Sequence, residues 1–312
     1  MNLLDAMRYL AALEQHRHFG RAAQACHITQ PALSNAIRAL ESELGVAVVR
    51  RSRQYEGVTA EGEVVLAHAH RLLHEAESLR QELHAMAGAP RGRLQLGAVP
   101  TAVPVAARFA ARLQRRHPGI QVSLRSLSSP EIDTGLENLS LDLALGYTER
   151  REVSARHLTV CPQYREAYYL VRKMGDSGTL TRGEPLRWAE AATQPLVLLT
   201  PDMHHRAIVE RAVAEAGATL APVLETNSFH AFGPALDEGT LAAVMPGAVL
   251  GTLTGMPGLV ARPLVTPEVH TPIGLMAASG ARASRALQAA LALAQDEAWR
   301  EGLAAVTGEL AA

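Results

Sequence analysis

The chain has 312 residues, of which 48% are hydrophobic, 20% charged and 4% aromatic, and its formal net charge at pH 7 is −1. This composition supports two or three domains with aliphatic cores and excludes a disordered chain. The near-zero charge excludes a protein that coats nucleic acid through a uniformly basic surface. Two distant cysteines, Cys26 and Cys161, exclude a disulfide framework and a cysteine-rich zinc site.

The first 60 residues are predicted to form a small helical domain with a two-stranded wing. The predicted elements are helices at residues 3–13, 21–28 and 30–44 and two strands within 46–59. Thr29 is a suitable N-cap for the third helix, and Gly45 suits its C-terminal end. We expect the two strands of the wing to turn at Glu56 and Gly57.

A long helix is predicted for residues 60–87, which contain no proline and a single glycine, Gly62. Its apolar stripe consists of Leu66, Leu72, Leu73, Leu79 and Leu83. A helix of about 25 residues is roughly 38 Å long. We therefore expect it to pair with another helix. Residues 88–93 have the composition of a linker.

From residue 94 onward, predicted strands alternate with predicted helices. The strands are expected at 94–99, 120–127, 141–147, 158–162, 166–173, 194–200, 221–228, 241–247, 260–265 and 270–279. The helices are expected at 103–118, 131–141, 205–217, 232–239 and 283–306. This alternation indicates α/β architecture with parallel sheets. Because the pattern restarts near residue 163, we expect two lobes.

Arginine outnumbers acidic residues in the segment 17–53, and nearly all positive charge in the chain comes from arginine, since Lys173 is the only lysine. Between residues 17 and 53 there are two glutamates, at 41 and 43, and six arginines, at 17, 21, 38, 50, 51 and 53. The planar guanidinium group suits phosphate and guanine. A GC-rich genome would produce the same arginine bias.

The segment from residue 19 to residue 46 closely resembles the signature of LysR-type transcriptional regulators. The matching positions are Ala22, Ala23, Thr29, Gln30, Pro31, Ala32, Leu33, Ser34, Ile37, Leu40, Glu41, Leu44 and Gly45. The resemblance implies a winged helix-turn-helix DNA-binding domain at 1–59, a linker and dimerisation helix with a hinge at 60–91, and a two-lobed effector domain at 92–312. In the wing, where the family usually has an aromatic residue, this chain has Val48 and Val49, so we expect different packing there.

A helix-turn-helix places the start of its second helix in the major groove. We predict DNA contacts by Arg21, Thr29, Gln30, Pro31, Ser34, Asn35, Arg38, Arg50, Arg51 and Arg53. Glutamine and asparagine can pair with adenine, arginine with guanine or phosphate, and hydroxyl groups with phosphate. The wing arginines would reach phosphates or a minor groove. The alternative is a solvated polar helix face; the resemblance favours DNA.

The resemblance also implies partners: double-stranded promoter DNA, a second copy of the chain paired through residues 60–87, and a homotetramer. RNA polymerase is a further candidate partner. The usual outcome in the family is activation of a neighbouring operon and repression of the regulator's own gene.

The effector domain is expected to resemble periplasmic binding proteins, with one lobe at 92–162 and 268–312 and the other at 163–267. In such sheets, ligands bind at the carboxyl ends of strands, and helix N-termini favour anions. The candidate effector-binding residues are Pro100, Thr101, Ala102, Ser128, Ser129, Thr200, His204, His205, Arg206, Asn227, Ser228 and Phe229, with His230 nearby. We expect a small anion or carboxylate, since few aromatic residues are available to stack on a ring. The alternative is that Thr101, Ser128 and Ser228 only cap helices.

Other classes of protein have weaker support. The chain contains no G-x-S-x-G, P-loop, G-x-G-x-x-G or H-E-x-x-H motif, so we expect no enzyme and no cofactor. His204 and His205 have no third metal ligand nearby in sequence, and neither cysteine has a readable basic environment for redox sensing. A solute-binding protein would leave residues 1–87 unexplained. No apolar run reaches about 18 residues and no cleavable signal is recognisable, so we expect a cytoplasmic protein.

Overall fold

The computed structural model describes residues 2–51, 55–85, 90–156, 158–176, 178–279 and 283–307. The chain forms two compact units, the first made of most of residues 1–88 and the second of most of the chain from residue 89 onward. The first unit contains helices α1 (Leu3–His16), α2 (Phe19–Ala25), α3 (Gln30–Leu44) and α4 (Ala60–Ala85) and strands β1 (Val49–Arg51) and β2 (Tyr55–Val58).

Helix α3 begins and ends at the residues that the sequence predicts. The Thr29 hydroxyl oxygen accepts a hydrogen bond from the Ala32 N–H at 3.4 Å, which caps the first turn. Gly45 has a φ of 71°, the left-handed conformation that ends helices at low steric cost for glycine. The buried face of α3, formed by Leu33, Ile37 and Leu40, packs in one apolar core with α1 and α2.

The predicted turn at Glu56 and Gly57 is wrong, because both residues lie within β2. Strands β1 and β2 pair antiparallel, with Val49 opposite Val58 and Arg51 opposite Tyr55. The connection therefore falls at residues 52–54, outside the described residues. Pairing Val49 with Val58 buries both side chains in the core of the first unit, which explains this register.

The second unit is an α/β structure with two lobes. Its helices are α5 (Val103–Arg116), α6 (Ser129–Glu137), α7 (Arg151–Ala155), α8 (Trp188–Ala192), α9 (His204–Glu215), α10 (Phe232–Asp237), α11 (Gly247–Leu250), α12 (Arg285–Gln295) and α13 (Glu297–Thr307). Its strands are β3 (Gly92–Ala98), β4 (Ile120–Ser126), β5 (Leu143–Tyr147), β6 (Leu158–Lys173), β7 (Thr181–Arg182), β8 (Leu186–Arg187), β9 (Leu196–Leu199), β10 (Leu224–Thr226), β11 (Ala242–Pro246), β12 (Leu259–Val265) and β13 (His270–Ala278).

Each lobe has a parallel sheet at its centre. In the first lobe β3 lies between β4 and β5, parallel to both, and in the second lobe β9 lies parallel to β10 and β11. The long strand β6 runs through both lobes. Residues 158–167 pair antiparallel with β13, and residues 168–173 pair antiparallel with β11 and β12. This arrangement aligns the carboxyl ends of the central strands of the two lobes with the cleft described below.

Several predicted elements differ from the structure. The strands expected at 158–162 and 166–173 are one strand, β6. Gly92 and Arg93, expected in the linker, belong to β3. The helix expected at 283–306 is two helices, because Asp296 accepts a hydrogen bond from the Trp299 N–H at 2.8 Å and caps α13 as a new helix.

Candidate functional site

The first candidate site is the exposed face of α3. The polar residues at its start point away from the core: Thr29, Gln30, Pro31, Asn35 and Arg38 are exposed, and Ser34 is half-buried. The Arg38 guanidinium donates a hydrogen bond to the Asn35 side-chain oxygen at 3.2 Å. This weak exposed contact holds two groups suited to base edges side by side on one helix face.

Side-chain hydrogen bonds connect the wing to α3 and cap α2. The Glu41 carboxylate on α3 accepts the backbone N–H groups of Val48 and Val49 at 3.0 and 3.2 Å, so the start of the wing is fixed relative to the helix. His18 Nδ1 accepts the N–H groups of Gly20 and Arg21 at 3.1 and 3.3 Å and caps α2.

The arginines predicted to contact DNA are only partly described. Arg21 and Arg50 are exposed. Arg53 and the side chain of Arg51 lie outside the described residues.

In the wing, Tyr55 contacts Phe19 edge-on, with ring centroids 6.1 Å apart, and its hydroxyl donates a hydrogen bond to Glu14. Burial, and then the Glu14 carboxylate, raise the pKa of Tyr55.

The second candidate site is a cleft between the two lobes of the second unit. A cavity of about 10 Å³ lies there, room for about one water molecule. Six residues expected to bind the effector line it, namely Pro100, Thr101, Ser128, Ser129, His204 and His205. The other lining residues are Val99, Tyr147, Leu199 and Met203. We call this space the effector cleft.

Polar groups of the effector cleft form hydrogen bonds within the first lobe and across the cleft. Thr101 Oγ1 and the Tyr147 hydroxyl share a hydrogen bond of 3.0 Å. Ser128 donates through both its backbone N–H and its hydroxyl to the Glu131 carboxylate, at 2.8 and 2.7 Å. Across the cleft, His204 Nε2 lies 3.1 Å from Glu149 Oε1, and this contact joins α9 of the second lobe to the end of β5 in the first.

The remaining predicted effector residues do not line this cavity. Arg206 is buried, and its guanidinium group donates hydrogen bonds to the carboxylates of Glu210 and Glu225, at 2.9 and 2.5 Å. Ser228 accepts the His230 N–H at 3.3 Å, as the capping alternative expects. Phe229 packs against the ring of His205, with centroids 5.5 Å apart. The others outside the lining are Ala102, which is buried, Thr200 and the exposed Asn227.

A buried acidic residue behind the effector cleft was missed in the sequence. Glu166 on β6 is 0% exposed, and its Oε1 has no hydrogen-bond partner among the described residues. Burial raises its pKa to about 8, partly offset by the hydroxyl groups of Thr101, Tyr168 and Tyr147. Glu166 is therefore largely protonated at neutral pH. In the sequence, Glu166 begins a predicted strand and precedes its apolar residues, a position that is commonly exposed to solvent.

Three tyrosines accompany Glu166, and no sequence pattern indicates their role. The Tyr168 hydroxyl lies 2.8 Å from Thr271 Oγ1 and 3.5 Å from Glu166 Oε2. Burial is the main cause that raises the pKa of Tyr147, Tyr164 and Tyr168, and the neighbouring Glu166 raises it further. All three stay neutral. The Tyr147 and Tyr168 hydroxyl groups form hydrogen bonds, whereas the Tyr164 hydroxyl group has no partner among the described residues. In the sequence these tyrosines lie within or between predicted strands of apolar residues, a pattern that favours ordinary core positions. Sequence reasoning therefore did not assign them to a site.

His205 is a buried histidine that lines the effector cleft. It is 2% exposed, and burial, followed by the charge of His204, lowers its pKa to about 3. The ring is therefore neutral at pH 7. Among the described residues, no cluster of three or more histidine, cysteine, aspartate or glutamate side chains could hold a metal ion.

The arrangement of both candidate sites agrees with the known families that the sequence matches. Residues 4–63 match the family described as "Bacterial regulatory helix-turn-helix protein, lysR family", and residues 87–299 match the "LysR substrate binding domain". The chain belongs to the LysR family.

Individual relatives support the same assignment. The LysR-family chain is 38% identical over 149 residues to the SDS degradation transcriptional activation protein of Pseudomonas sp., an alignment that covers 46% of this chain and 49% of that protein. The chain thus spans about half the length of this relative. It is 26% identical to the DNA-binding transcriptional dual regulator OxyR of Escherichia coli, over 88% of this chain and 89% of that protein.

A solved structure confirms the fold at whole-chain scale. Full-length CbnR complexed with its target DNA is 19% identical, covers 93% of this chain and 97% of its own, and has a TM-score of 0.65. The predicted combination of a helix-turn-helix with a two-lobed α/β domain is therefore confirmed. No helix in the described part of this LysR-family chain has the length and apolarity that a membrane span requires.

Both cysteines of the LysR-family chain are free thiols at half-buried positions. Burial raises the pKa of Cys26, an effect that Arg8 partly offsets. The Cys161 sulfur lies 3.7 Å from the Ala294 carbonyl oxygen. A raised pKa disfavours the reactive thiolate at Cys26.

Proposed function

We propose that this protein is a transcriptional regulator that binds promoter DNA through α3 and responds to a small effector in the cleft. The observation that carries the first part is the polar face at the start of α3, which is exposed while the opposite face is buried in the core of the first unit. This is the geometry by which a helix-turn-helix presents side chains to the major groove.

We assign DNA contacts to Arg21, Thr29, Gln30, Pro31, Ser34, Asn35, Arg38, Arg50, Arg51 and Arg53. Gln30, Asn35 and Arg38 are suited to base edges, and the wing arginines to phosphates. The relative CbnR was crystallised with its target DNA, which supports this assignment.

The effector is a small anion or carboxylate bound between the lobes. Thr101, Ser128 and Ser129 contribute from the first lobe, and His204 and His205 from the second. Binding must favour one arrangement of the lobes over another, since a ligand shifts an equilibrium only through different affinities for its states. Such a shift would change the spacing or bend of bound DNA in a tetramer.

We expect activation of a neighbouring operon and repression of the regulator's own gene. The names of two relatives, a transcriptional activation protein and a dual regulator, support this expectation. The site should remain largely occupied with and without effector. Complete release of DNA on effector addition would contradict this mechanism. The protein is proposed to act in the cytoplasm, without catalysis and without a cofactor.

The DNA-binding test uses the purified full chain, its own upstream DNA and a scrambled duplex, measured by fluorescence anisotropy. The double variant Gln30→Ala, Arg38→Ala should lose about 1–3 kcal/mol of discrimination for each base contact removed. Arg108→Ala, an exposed arginine of the second unit, is the matched control for the loss of one positive charge. Equal affinity of the wild-type protein for both duplexes would contradict the proposal.

A further inference from the structure

An imidazole ring without a hydrogen-bond partner lies at the wall of the effector cleft. His205 is 2% exposed and lines the cavity, and neither Nδ1 nor Nε2 has a partner among the described residues. Buried polar nitrogen atoms are normally paired, because leaving them unpaired costs free energy. The ring therefore points to a ligand group that the cleft is built to bind.

Two hydroxyl groups of the second unit share this property. Ser129 Oγ, from the first lobe, and Thr200 Oγ1, from the segment before α9, are buried and have no partner among the described residues. Ser129 lines the same cavity as His205. A ligand that contacts both would connect the two lobes through hydrogen bonds.

The N-terminus of α9 makes this end of the cleft favourable for an anion. The helix has 12 residues, and its N-cap residue, Met203, supplies no side-chain hydrogen bond. The free amide groups at a helix start carry partial positive charge. The N-terminus of α6 is different, because the Glu131 carboxylate already accepts the Ser128 N–H.

No arginine or lysine is among the described residues that line the cavity. Arg206 is buried nearby but pairs with Glu210 and Glu225. An anion that enters the cleft therefore meets no permanent positive side chain, and an imidazole that gains a proton would supply one.

Titratable and aromatic groups near His205 lie on α9 itself, on β6 and in the segment after β10. On α9 itself, His204 contacts Glu149, which follows β5. From β6, the neutral Tyr168 ring lies 5.8 Å away, with the buried Glu166 beyond it. From the turn after β10, Phe229 contributes an apolar ring at 5.5 Å.

We propose that the effector cleft binds a small oxyanion, of the size of sulfate or formate, together with one proton that His205 takes up from solution. The cavity has room for about one water molecule, so the two lobes must move apart to admit the anion. The inference rests on the proposed function, because it concerns the same cleft. The proton adds to a ring nitrogen, and the resulting imidazolium pairs with the anion. No covalent bond to the ligand forms.

The sign of the pH dependence follows from the state of the ring. In the free protein, burial holds the pKa of His205 at about 3, so the ring is neutral at pH 5.5 and above. An anion in contact raises this pKa. At a pH between the pKa of His205 in the free protein and its pKa in the complex, each binding event takes up one proton. The affinity therefore falls by up to about tenfold for each unit of pH increase.

The test is calorimetric titration of the full chain with sulfate and, separately, with formate. Measurements between about pH 5.5 and 7, in two buffers of different ionisation enthalpy, count the protons taken up. Glu166 stays protonated in this range, because its pKa is about 8. We expect close to one proton per anion at the lower pH and a dissociation constant that rises with pH.

Two neighbouring variants separate His205 from His204. His205→Gln keeps hydrogen-bonding groups but cannot gain a charge, so it should bind the anion at least tenfold more weakly at pH 5.5 and take up no proton. His204→Gln also changes the cleft and is expected to alter the affinity, but each anion that binds to it should still be accompanied by one proton. The reverse pattern would assign the proton to His204 and overturn the inference. The proton count on the wild-type protein stands even if the His205 variant folds poorly.

A further variant distinguishes failure of this inference from failure of the proposed cleft. Ser129→Val replaces the hydroxyl group by methyl groups that occupy the water-sized cavity, and it should abolish anion binding. Binding that survives this substitution would place the anion elsewhere and contradict the proposed effector site. If the variant does not bind the anion, and the wild-type protein binds it without taking up a proton, only the inference is overturned. Failure of both anions to bind overturns the inference together with the anionic effector, and DNA binding by the same preparation then tests the regulator separately.

Discussion

The carboxyl group of Glu166 links the stability of the second unit to pH. The ordinary pKa of glutamate is 4.5, and burial raises that of Glu166 to about 8 in the folded protein. Between these values the unfolded chain loses a proton that the folded protein retains. The contribution of this group to stability is therefore greatest below pH 4.5 and decreases as the pH rises to about 8.

Glu166→Gln should remove this pH dependence, because glutamine stays neutral. Relative to the wild-type protein, the variant should gain stability as pH rises, on the order of a few kcal/mol at pH 8. Urea denaturation at pH 5.5 and pH 8 measures the difference. Glu215→Gln, at an exposed position of α9, is the control and should show no such trend. A pH-independent difference between the Glu166 variant and wild type would contradict the burial argument.

Single residues also mark the limit of what the sequence could predict about the effector cleft. Thr101, Ser129 and His205 follow strands of a parallel sheet, so their place at the cleft was predictable from chain order. Glu166 and Tyr147 were not, because they lie within strands and reach the cleft only through the packing of the lobes. Burial of a strand residue depends on contacts distant in sequence, which no local pattern contains.

Among the elements, the start of α4 depends on close contact with the wing. A Cβ atom added at Gly62 would lie 2.0 Å from the Val48 carbonyl oxygen, which is a backbone atom. The Gly62 N–H also donates to Thr59 Oγ1 at 2.9 Å. Only glycine leaves room for this approach.

Gly62→Ala should therefore destabilise the first unit by about 1–3 kcal/mol or more, because the helix or the wing must shift. Thermal unfolding of the full chain and DNA affinity would both report the loss. Glu63→Ala, at the next, exposed position, should change stability by much less. Equal melting temperatures for the two variants would show that the wing can move at little cost.

Asp296 determines where the last helices divide. Its carboxylate caps α13 and lies 2.8 Å from Arg116 and 3.7 Å from Arg112. The hydrogen bond from Arg116 is the main cause that lowers its pKa. Its stabilising effect is therefore present above the ordinary pKa of aspartate and is lost as the pH falls through the lowered value.

Asp296→Ala should destabilise α13, because the helix loses its N-cap hydrogen bond. Hydrogen exchange of the α13 amide groups at neutral pH should accelerate more than that of α9. Asp202→Ala, at an exposed position before α9, is the control. Unchanged exchange in α13 would mean that the cap contributes little.

The length of a helix decided whether it was predictable, because an apolar repeat is visible only over several turns. Helices α3 and α4 extend over several turns, so their apolar spacing is visible in the sequence. Helices α7 and α8 have five residues each, too few for a periodic pattern. The division at Asp296 was missed because the apolar residues on either side continue a helical spacing across it.

At the scale of the whole molecule, α4 is the surface proposed to join two chains. Leu72 is 43% exposed and Leu79 is 58% exposed, and their spacing of seven residues places them on one helix face. Leu83 belongs to the same predicted stripe, but its side chain lies outside the described residues. Two exposed leucines on one face are the kind of surface that a second copy would cover.

The double variant Leu72→Glu, Leu79→Glu should dissociate the proposed dimer, because burying carboxylates in the helix pair is unfavourable. Sedimentation at micromolar concentration would measure the mass, and anisotropy would show weaker DNA binding. Arg71→Glu introduces a carboxylate at an adjacent exposed position and should leave the mass unchanged. A wild-type mass in the leucine variant would place the interface elsewhere.

The continuity of β6 through both lobes constrains how the effector domain can be recombined between relatives. Because residues 158–167 pair with β13 and residues 168–173 pair with β11 and β12, each lobe is completed by a strand that continues into the other. The second lobe is therefore an insertion within the first, and a chimera with a new specificity needs two junctions, one within β6 and one between β12 and β13. A single crossover would join half-sheets from different parents.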